Sequence, residues 1–576
     1  MVNVTLNNVK LQVDPGLTIL EVARANGVNI PTLCHLDMAE IKMVNTVGSC
    51  RVCMVEIEGR ANLMPACVTQ AWEGMVITTN TPKATKARRT VVELFLSNHP
   101  KDCLTCERNR KCELQDLAAE LNIREDKYAG KMSKYTKDTS SRSIIRDAEK
   151  CVMCRRCETM CNDVQTVGVY SGANRSLEAV VSTAFDYPML DTSCTFCGQC
   201  ISVCPTGALT QVSNISEVWT AINNPDKVVI VQTAPAVRVA LGEEFGMPVG
   251  TRVTGKMVAA LRRMGFDYVF DTVFAADLTI MEEANELINR IKNGGPLPML
   301  TSCCPAWVKF IEHQFPTLLD IPSSCKSPQQ MFGAIVKSYF AEKMGIDPAK
   351  IVMVSVMPCV AKKYEAAREE LASDGHADVD YVISTREMAG MIREACIDFN
   401  SLPDEHFDPI MGESTGAGVI FGRTGGVIEA AVRTAAFKLT GETVTEVNAL
   451  RGTDGIREAT IKAGDLDLKI GIAHGLGNAR TLLENIRDGK SEYHAIEIMA
   501  CPGGCVGGGG QPYYGNNRAV IEARAKGLNA EDVGNPVRQS HENKEVQALY
   551  AKFLGEPGGH KAHELLHTSY TKRDKM

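Results

Sequence analysis

Several features are missing from this 576-residue sequence, and each absence narrows the field. No apolar run approaches the roughly 18 residues of a membrane-spanning helix. The best candidate, around 228–231, is soon interrupted by Gln232, Thr233 and Pro235. No basic, apolar leader follows Met1, which predicts a cytoplasmic chain rather than an exported one. Positive charge is not in excess: Lys and Arg total 62 against 69 Asp and Glu, a formal net charge of −7. That balance argues against a generally basic surface for nucleic acid. The glycine-rich stretch at 503–510 is followed by no Gly-Lys-Ser/Thr and contains no GxGxxG, so it is not a phosphate loop. What abounds is cysteine, 22 in all. Disulfide-rich secreted folds are usually short, so this long chain predicts reduced thiolates in a metalloprotein. At roughly 100–200 residues per domain, about three to five domains are expected.

Alternation over residues 2–13, with Val4, Leu6, Val9, Leu11 and Val13 flanking Asn7-Asn8, predicts a β-hairpin. Residues 17–25 have helical spacing and stop at Gly27, completing a small α+β module. Residues 84–122 predict helices around a cysteine loop, and the polar stretch 123–145 a connector. From Val228 onward the texture changes. Strands are expected at 228–232, 268–271, 298–301, 351–357, 379–383, 468–472 and 495–499. Helices are expected at 256–264, 278–292 and 480–488. Such alternation predicts α/β architecture with mainly parallel strands, and several cysteines fall just past strand ends, where open sheets place ligands.

The cysteines come in blocks. Cys151-x2-Cys154-x2-Cys157-x3-Cys161 and Cys194-x2-Cys197-x2-Cys200-x3-Cys204-Pro205 are two copies of the bacterial ferredoxin run. The fourth cysteine of each run serves the other cluster. Cys151, Cys154, Cys157 and Cys204 are therefore expected on one [4Fe–4S], and Cys194, Cys197, Cys200 and Cys161 on the other. Zinc is the alternative, but it prefers paired CxxC without a third cysteine. Cys34-x15-Cys50-x2-Cys53-x13-Cys67 resembles a plant-type [2Fe–2S] site, with a departure from the C-x4-C-x2-C spacing that keeps zinc open. His99-x3-Cys103-x2-Cys106-x5-Cys112 offers four ligands for a His-ligated [4Fe–4S] or, taken alone, a zinc knuckle. This order resembles the front of the large iron–sulfur subunit of NADH dehydrogenases, and equally that of large iron-only hydrogenases.

Three segments separate these families: Thr301-Ser-Cys-Cys-Pro-Ala-Trp307, Met357-Pro-Cys-Val-Ala-Lys-Lys-Tyr-Glu365, and Glu497-Ile-Met-Ala-Cys-Pro-Gly-Gly-Cys505 with its glycines. They resemble the three signature motifs of [FeFe]-hydrogenases, and the resemblance covers essentially the whole chain. It implies a multidomain α+β and α/β protein. The expected order is a β-grasp [2Fe–2S] domain (1–80), a His-ligated [4Fe–4S] module (81–122), a 2[4Fe–4S] ferredoxin-like domain (123–215) and a catalytic domain (216–576). It implies reversible reduction of protons to H₂ at an H-cluster, a [4Fe–4S] joined to a diiron subsite carrying CO, cyanide and a bridging dithiolate. By resemblance, Cys304, Cys359, Cys501 and Cys505 hold the cubane and Cys505 also bridges to the diiron unit. Cys303 relays protons, Lys362 binds a cyanide, and Lys363 reads as solvated. Met357, Met499, Gln329 and Pro235 contact the cluster. Glu283, Ser323, Glu286 and Arg290 match the family's proton path, although Glu286–Arg290 taken alone reads as a surface i,i+4 pair. Glu365 reads as structural, and Cys325 and Cys396 as core thiols. Ala236 stands where familiar members have serine, losing a hydroxyl. The competing functions are an electron-transfer subunit of an NADH dehydrogenase, an iron–sulfur assembly factor and a hydrogen sensor. The electron partner is either a ferredoxin or the flavin-containing, NAD(P)H-linked subunits of a multimer. No flavin or nicotinamide site is visible in this chain.

Overall fold

The computed structural model describes residues 1–38, 43–45, 47–125, 127–128, 130–373, 375–463, 466–515 and 517–574. At the front, strands Val2–Leu6 and Val9–Val13 pair as the expected hairpin. Asn7 and Asn8 take φ of 48° and 69° at its turn, which asparagine tolerates better than most residues. The helix Ile19–Ala25 starts at Thr18, whose hydroxyl accepts from the Glu21 backbone N–H while the Glu21 carboxylate accepts from the Thr18 N–H. It packs on a mixed five-stranded sheet completed by Met75–Thr78, Met54–Ile57 and Met64–Pro65. Two helices follow, Pro82–Ser97 and Glu113–Glu120, with the His99–Cys112 loop between them.

The two ferredoxin runs are closed by antiparallel pairing of Ile144–Arg146 with Leu209–Gln211. Their backbones match: Met153 and Phe196 have φ of 53° and 56°, and Arg155 and Gly198 have 62° and 73°. These left-handed residues turn N–H groups toward the sulfurs, with Met153 N 3.4 Å from Cys151 Sγ and Phe196 N 3.4 Å from Cys194 Sγ.

Beyond residue 227 the strands form two four-stranded sheets. The first, in the order Tyr268–Asp271, Val228–Thr233, Ile351–Met357 and Tyr381–Ser384, is wholly parallel. The second runs Met299–Leu300, Ala495–Met499, Leu466–His474 and Ile456–Ala463, with only the last strand antiparallel. That last strand gives no signal in the sequence because its charged, short-chain residues IREATIKA form an edge, not a core run. The helix Val273–Asn293 starts five residues earlier than periodicity indicates. Its first turns are buried all round, which erases the amphipathic signal. Two further expectations fail. Cys396 is exposed rather than a core thiol. Lys363 is buried, its ammonium 2.9 Å from Glu387 and donating also to the Val382 carbonyl and Asn214. Among the described residues no helix is long and apolar enough to cross a membrane.

Candidate metal centres and catalytic cleft

In the first module Cys34, Cys50, Cys53 and Cys67 are buried and converge, with the thiols of Cys50 and Cys67 against Cys34 and that of Cys67 against Cys53. In the second, His99 carries the most telling geometry. Its Nδ1 lies 2.8 Å from the Pro100 carbonyl oxygen, so Nδ1 holds the proton. Its buried Nε2 has no hydrogen-bond partner among the described residues. An imidazole fixed by a carbonyl at one nitrogen and free at the other is the metal-binding tautomer, and burial lowers the His99 pKa and keeps it neutral. In the third, a cavity of about 450 Å³ is lined by Cys151, Cys154, Cys157 and Cys204. The Cys161 thiol faces Cys194 and Cys197 instead, and Cys200 faces all three. The fourth cysteines are thus exchanged between the runs.

The spacing also bears on which metal fits. Among the described residues, only Glu286, Cys325 and His567 bring three such donor atoms within 4.8 Å of one another. None of the cysteine gatherings is that tight, whereas tetrahedral zinc would hold its sulfurs about 3.8 Å apart. In the cubane quartets the wider spacing suits [4Fe–4S] cores, whereas in the first module the Cys34 thiol meets those of Cys50 and Cys67 directly.

The strand ends of the two sheets meet at a cleft of about 750 Å³. Cys303 and Cys304 enter after Met299–Leu300, Cys359 after Ile351–Met357, and Cys501 and Cys505 after Ala495–Met499. Pro235, Ala236, Gln329, Met357, Lys362 and Met499 complete the wall. Burial pushes the Cys505 thiol up to about 12 and the Cys501 thiol well above its ordinary range. Thiolates are tolerated there only beside compensating positive charge, which cluster iron supplies. The glycines let this loop pack: a Cβ on Gly508 would strike the Pro358 carbonyl, and one on Gly509 would sit 2.7 Å from the Cys197 carbonyl oxygen. The second ferredoxin run therefore lies directly against the catalytic loop. Gln199 Nε2 donates to the Gly507 carbonyl at 2.9 Å, and Gln165 Nε2 to that of Ala500 at 3.0 Å.

Lys362 Nζ reaches the Cys303 carbonyl at 3.1 Å and Glu365 at 2.8 Å. Burial works against its charge, but the Glu365 carboxylate more than offsets this and raises its pKa. Glu365 also accepts from Ser327 and Gln329, the structural role expected of it. The Gln329 amide oxygen is buried without a partner and lines the cleft. Ala236 is fully buried on the same wall, and its carbonyl accepts from Gln511 at 2.9 Å.

Along the helix Val273–Asn293, Glu286 accepts from Arg290 at 2.5 Å and from the Ser323 hydroxyl at 2.7 Å. Arg290 is no mere surface partner: it donates as well to the carbonyls of Ile321 and Pro322. Glu283, one turn inward, is fully buried, and neither oxygen has a hydrogen-bond partner among the described residues. Burial first, and Glu286 second, push its pKa up to about 8. Its charge in turn helps burial raise the Cys303 thiol far above the usual range.

Several supporting contacts are set by the fold rather than by motif spacing. Glu497 accepts from the N–H groups of Gly425 (2.5 Å) and Ile428 (3.0 Å), holding the start of helix Gly426–Thr440 to the cleft. His474 Nδ1 accepts from Gly503 N at 3.2 Å and positions the glycine loop. Asn45 donates to the carbonyls of Cys34 (2.5 Å) and Cys154 (3.2 Å). Arg156 pairs with Glu113 (2.6 Å) and bonds the His35 carbonyl (3.0 Å). Those two residues tie three cysteine modules together. Motif spacing carries no signal for contacts of such long sequence separation.

Family models match along the chain: a 2Fe-2S iron-sulfur cluster binding domain at 1–82 and the NADH-ubiquinone oxidoreductase-G iron-sulfur binding region at 88–127. A 4Fe-4S binding domain matches 191–210. The C-terminal domain of the iron only hydrogenase large subunit matches 227–509, and the iron hydrogenase small subunit matches 518–573. The NADP-reducing hydrogenase subunit HndD of Solidesulfovibrio fructosivorans is 56% identical over 100% of both chains. Iron hydrogenase 1 of Clostridium pasteurianum is 40% identical over 99% of this chain and 100% of its own. A solved structure of the [FeFe]-hydrogenase HydA1 from Chlamydomonas reinhardtii is 42% identical with a TM-score of 0.57, covering 63% of this chain and 99% of that one. With [2Fe–2S] and [4Fe–4S] binding domains leading into an H-cluster domain, this chain belongs to the iron-only, or [FeFe], hydrogenases and is a catalytic subunit of that family.

Proposed function

We propose that Cys304, Cys359, Cys501 and Cys505 hold the H-cluster cubane, with Cys505 also bridging to the diiron unit. The accessory clusters are one [2Fe–2S] on Cys34, Cys50, Cys53 and Cys67 and three [4Fe–4S]. These sit on His99 with Cys103, Cys106 and Cys112, and on the two exchanged ferredoxin quartets. The domain limits that go with this reading are 1–80, 81–122, 123–215 and 216–576. When bound, the H-cluster supplies the two-electron chemistry that interconverts protons and H₂. The residues of the chain bind it, exclude water and move protons.

Protons pass by Arg290, Glu286, Ser323, Glu283 and Cys303. The observation that carries this route is the hydrogen-bonded run Arg290–Glu286–Ser323, which leads from the largely buried Arg290 toward the buried, unpartnered Glu283 beside Cys303. A carboxyl titrating near 8 is matched to proton transfer at neutral pH. Lys362 offers its ammonium to an anionic cyanide ligand, and Pro235, Gln329, Met357 and Met499 shape the pocket. The test is anaerobic H₂ evolution from reduced methyl viologen by protein loaded with the diiron cofactor, beside Cys303→Ala. Collapse of activity with unchanged infrared bands of the loaded cofactor supports the relay. Undiminished activity overturns it.

The electron partner is a flavin-containing, NAD(P)-linked subunit of a cytoplasmic multimer. The full-length similarity to a subunit of an NADP-reducing hydrogenase supports this, as does the lack of any nicotinamide or flavin motif in the sequence. Reduced thiols in such number also suit the cytoplasm. Anaerobic co-purification of a flavoprotein with H₂-dependent NADP⁺ reduction is expected. Turnover with ferredoxin alone would favour the other partner.

A further inference from the structure

The C-terminal segment brings chemistry to the loop 321–326 that the proposed proton route does not use. Cys325 and His567 are paired across an isolated antiparallel bridge, and Thr568 N donates to the Ser324 carbonyl at 2.7 Å. The His567 ring is held at both nitrogens, Nδ1 2.8 Å from Ser324 Oγ and Nε2 3.1 Å from Glu282. Cys325 Sγ lies 3.9 Å from Glu286 Oε2. A soft thiol, a borderline imidazole and a hard carboxylate thus face one another from a helix, a loop and the tail, all three donors within 4.8 Å.

We propose that Cys325, His567 and Glu286 form a binding site for a thiophilic divalent cation of the zinc type, completed by water. Zinc takes such ligands at about 2.0–2.3 Å, which places tetrahedral donor atoms about 3.4–3.8 Å apart. A contraction of about 1 Å from the present spacing suffices, well within side-chain adjustment. Thiolate and carboxylate together neutralise a dication in this largely buried place. Binding releases the Cys325 thiol proton to solvent, so affinity rises with pH, and no electron transfer is involved. Arg290 does not block the ion: on leaving Glu286 it keeps the carbonyls of Ile321 at 2.8 Å, Pro322 at 2.9 Å and Pro296 at 3.2 Å. The bound ion takes the Glu286 carboxylate away from Ser323 and Arg290. Its effect on turnover rests on the proposed proton route, whereas binding itself does not.

Zinc chloride titrated into the anaerobic holoenzyme tests this. X-ray absorption at the zinc edge, which iron does not mask, should show one sulfur at about 2.3 Å among nitrogen and oxygen neighbours at about 2.0–2.2 Å. Hydrogen evolution should fall and recover with EDTA. Cys325→Ser and His567→Gln should retain activity without zinc. Each should raise the inhibitory zinc concentration by at least about tenfold, a loss that removal of even a supporting partner can bring. Unchanged inhibition in both variants, or a zinc shell of three or four sulfurs marking capture by cluster thiols, overturns the site. Glu286→Gln assayed without zinc tests the proton route separately, and the zinc spectrum decides the metal site whichever way that assay falls.

Discussion

The two-cluster module and the catalytic cleft gather thiols in opposite ways. In the module, Cys151–Cys204, each site is a contiguous loop whose left-handed residues curl N–H groups onto sulfur, and only the fourth ligand comes from elsewhere. In the cleft, ligands arrive from strand ends of both sheets, between residues 304 and 505, and glycines let the last loop close. The first design binds a cluster that exchanges electrons and nothing else. The second leaves a wall on which Cys303 and Lys362 stand beside the proposed ligands, with the buried Glu283 next to Cys303. Ligands spread over two sheets make room for chemistry that a compact loop excludes.

The sharpest way to break that contrast is at the wall. Cys303→Ala should lower H₂ evolution by about 10²–10⁴-fold, the usual worth of a positioned proton donor, while leaving every accessory cluster intact. Cluster loss in that variant, seen by electron paramagnetic resonance, would mean the thiol is structural. A comparable test in the front is His99→Ala, which should release about four irons per chain, one [4Fe–4S], and leave the diiron infrared bands unchanged. Full iron retention would remove His99 from the ligands.

Adjacent lysines sharpen the comparison further. Lys363→Met strands Glu387 in the core and should destabilise the fold by about 3–5 kcal/mol without changing the turnover of the folded fraction. Lys362→Met should instead reduce turnover through the cleft. Equal thermal shifts for both would erase the distinction. Smaller still, Gly509→Ala should overpack the junction with Cys197, costing about 1–3 kcal/mol. It should slow viologen-driven turnover more than H/D exchange, which needs no electron from the front; equal losses would place the damage in the cleft itself.

A last test is a pH dependence at Glu283. Its carboxyl stays protonated up to about 8 when folded, whereas an unfolded glutamate ionises near about 4.3. Between those values the folded state holds the extra proton, so this group's contribution to stability falls as pH rises and levels off above about 8. The melting temperature of the parent relative to Glu283→Gln should therefore decline from pH 5 to pH 8. A flat difference would mean that Glu283 ionises normally.

The metal-centre motifs were legible because sulfur ligands cluster at loop spacings, and strands such as Ile351–Met357 and Ala495–Met499 because buried parallel strands read as apolar runs. The edge strand Ile456–Ala463 was illegible for the converse reason. Lys363 and Cys396 were misplaced because one charge and one thiol carry no periodicity to reveal their side of the wall.

Sequence alone determined the order of the modules, the ligand types and the three catalytic motifs, since these depend on local spacing. Tertiary structure alone decided that the second ferredoxin run abuts the catalytic loop and that Glu283 is buried without a partner among the described residues. It also decided that the tail brings His567 to Cys325. These are contacts between residues up to hundreds of positions apart. They are set by how two sheets and their loops pack, and no local pattern encodes them.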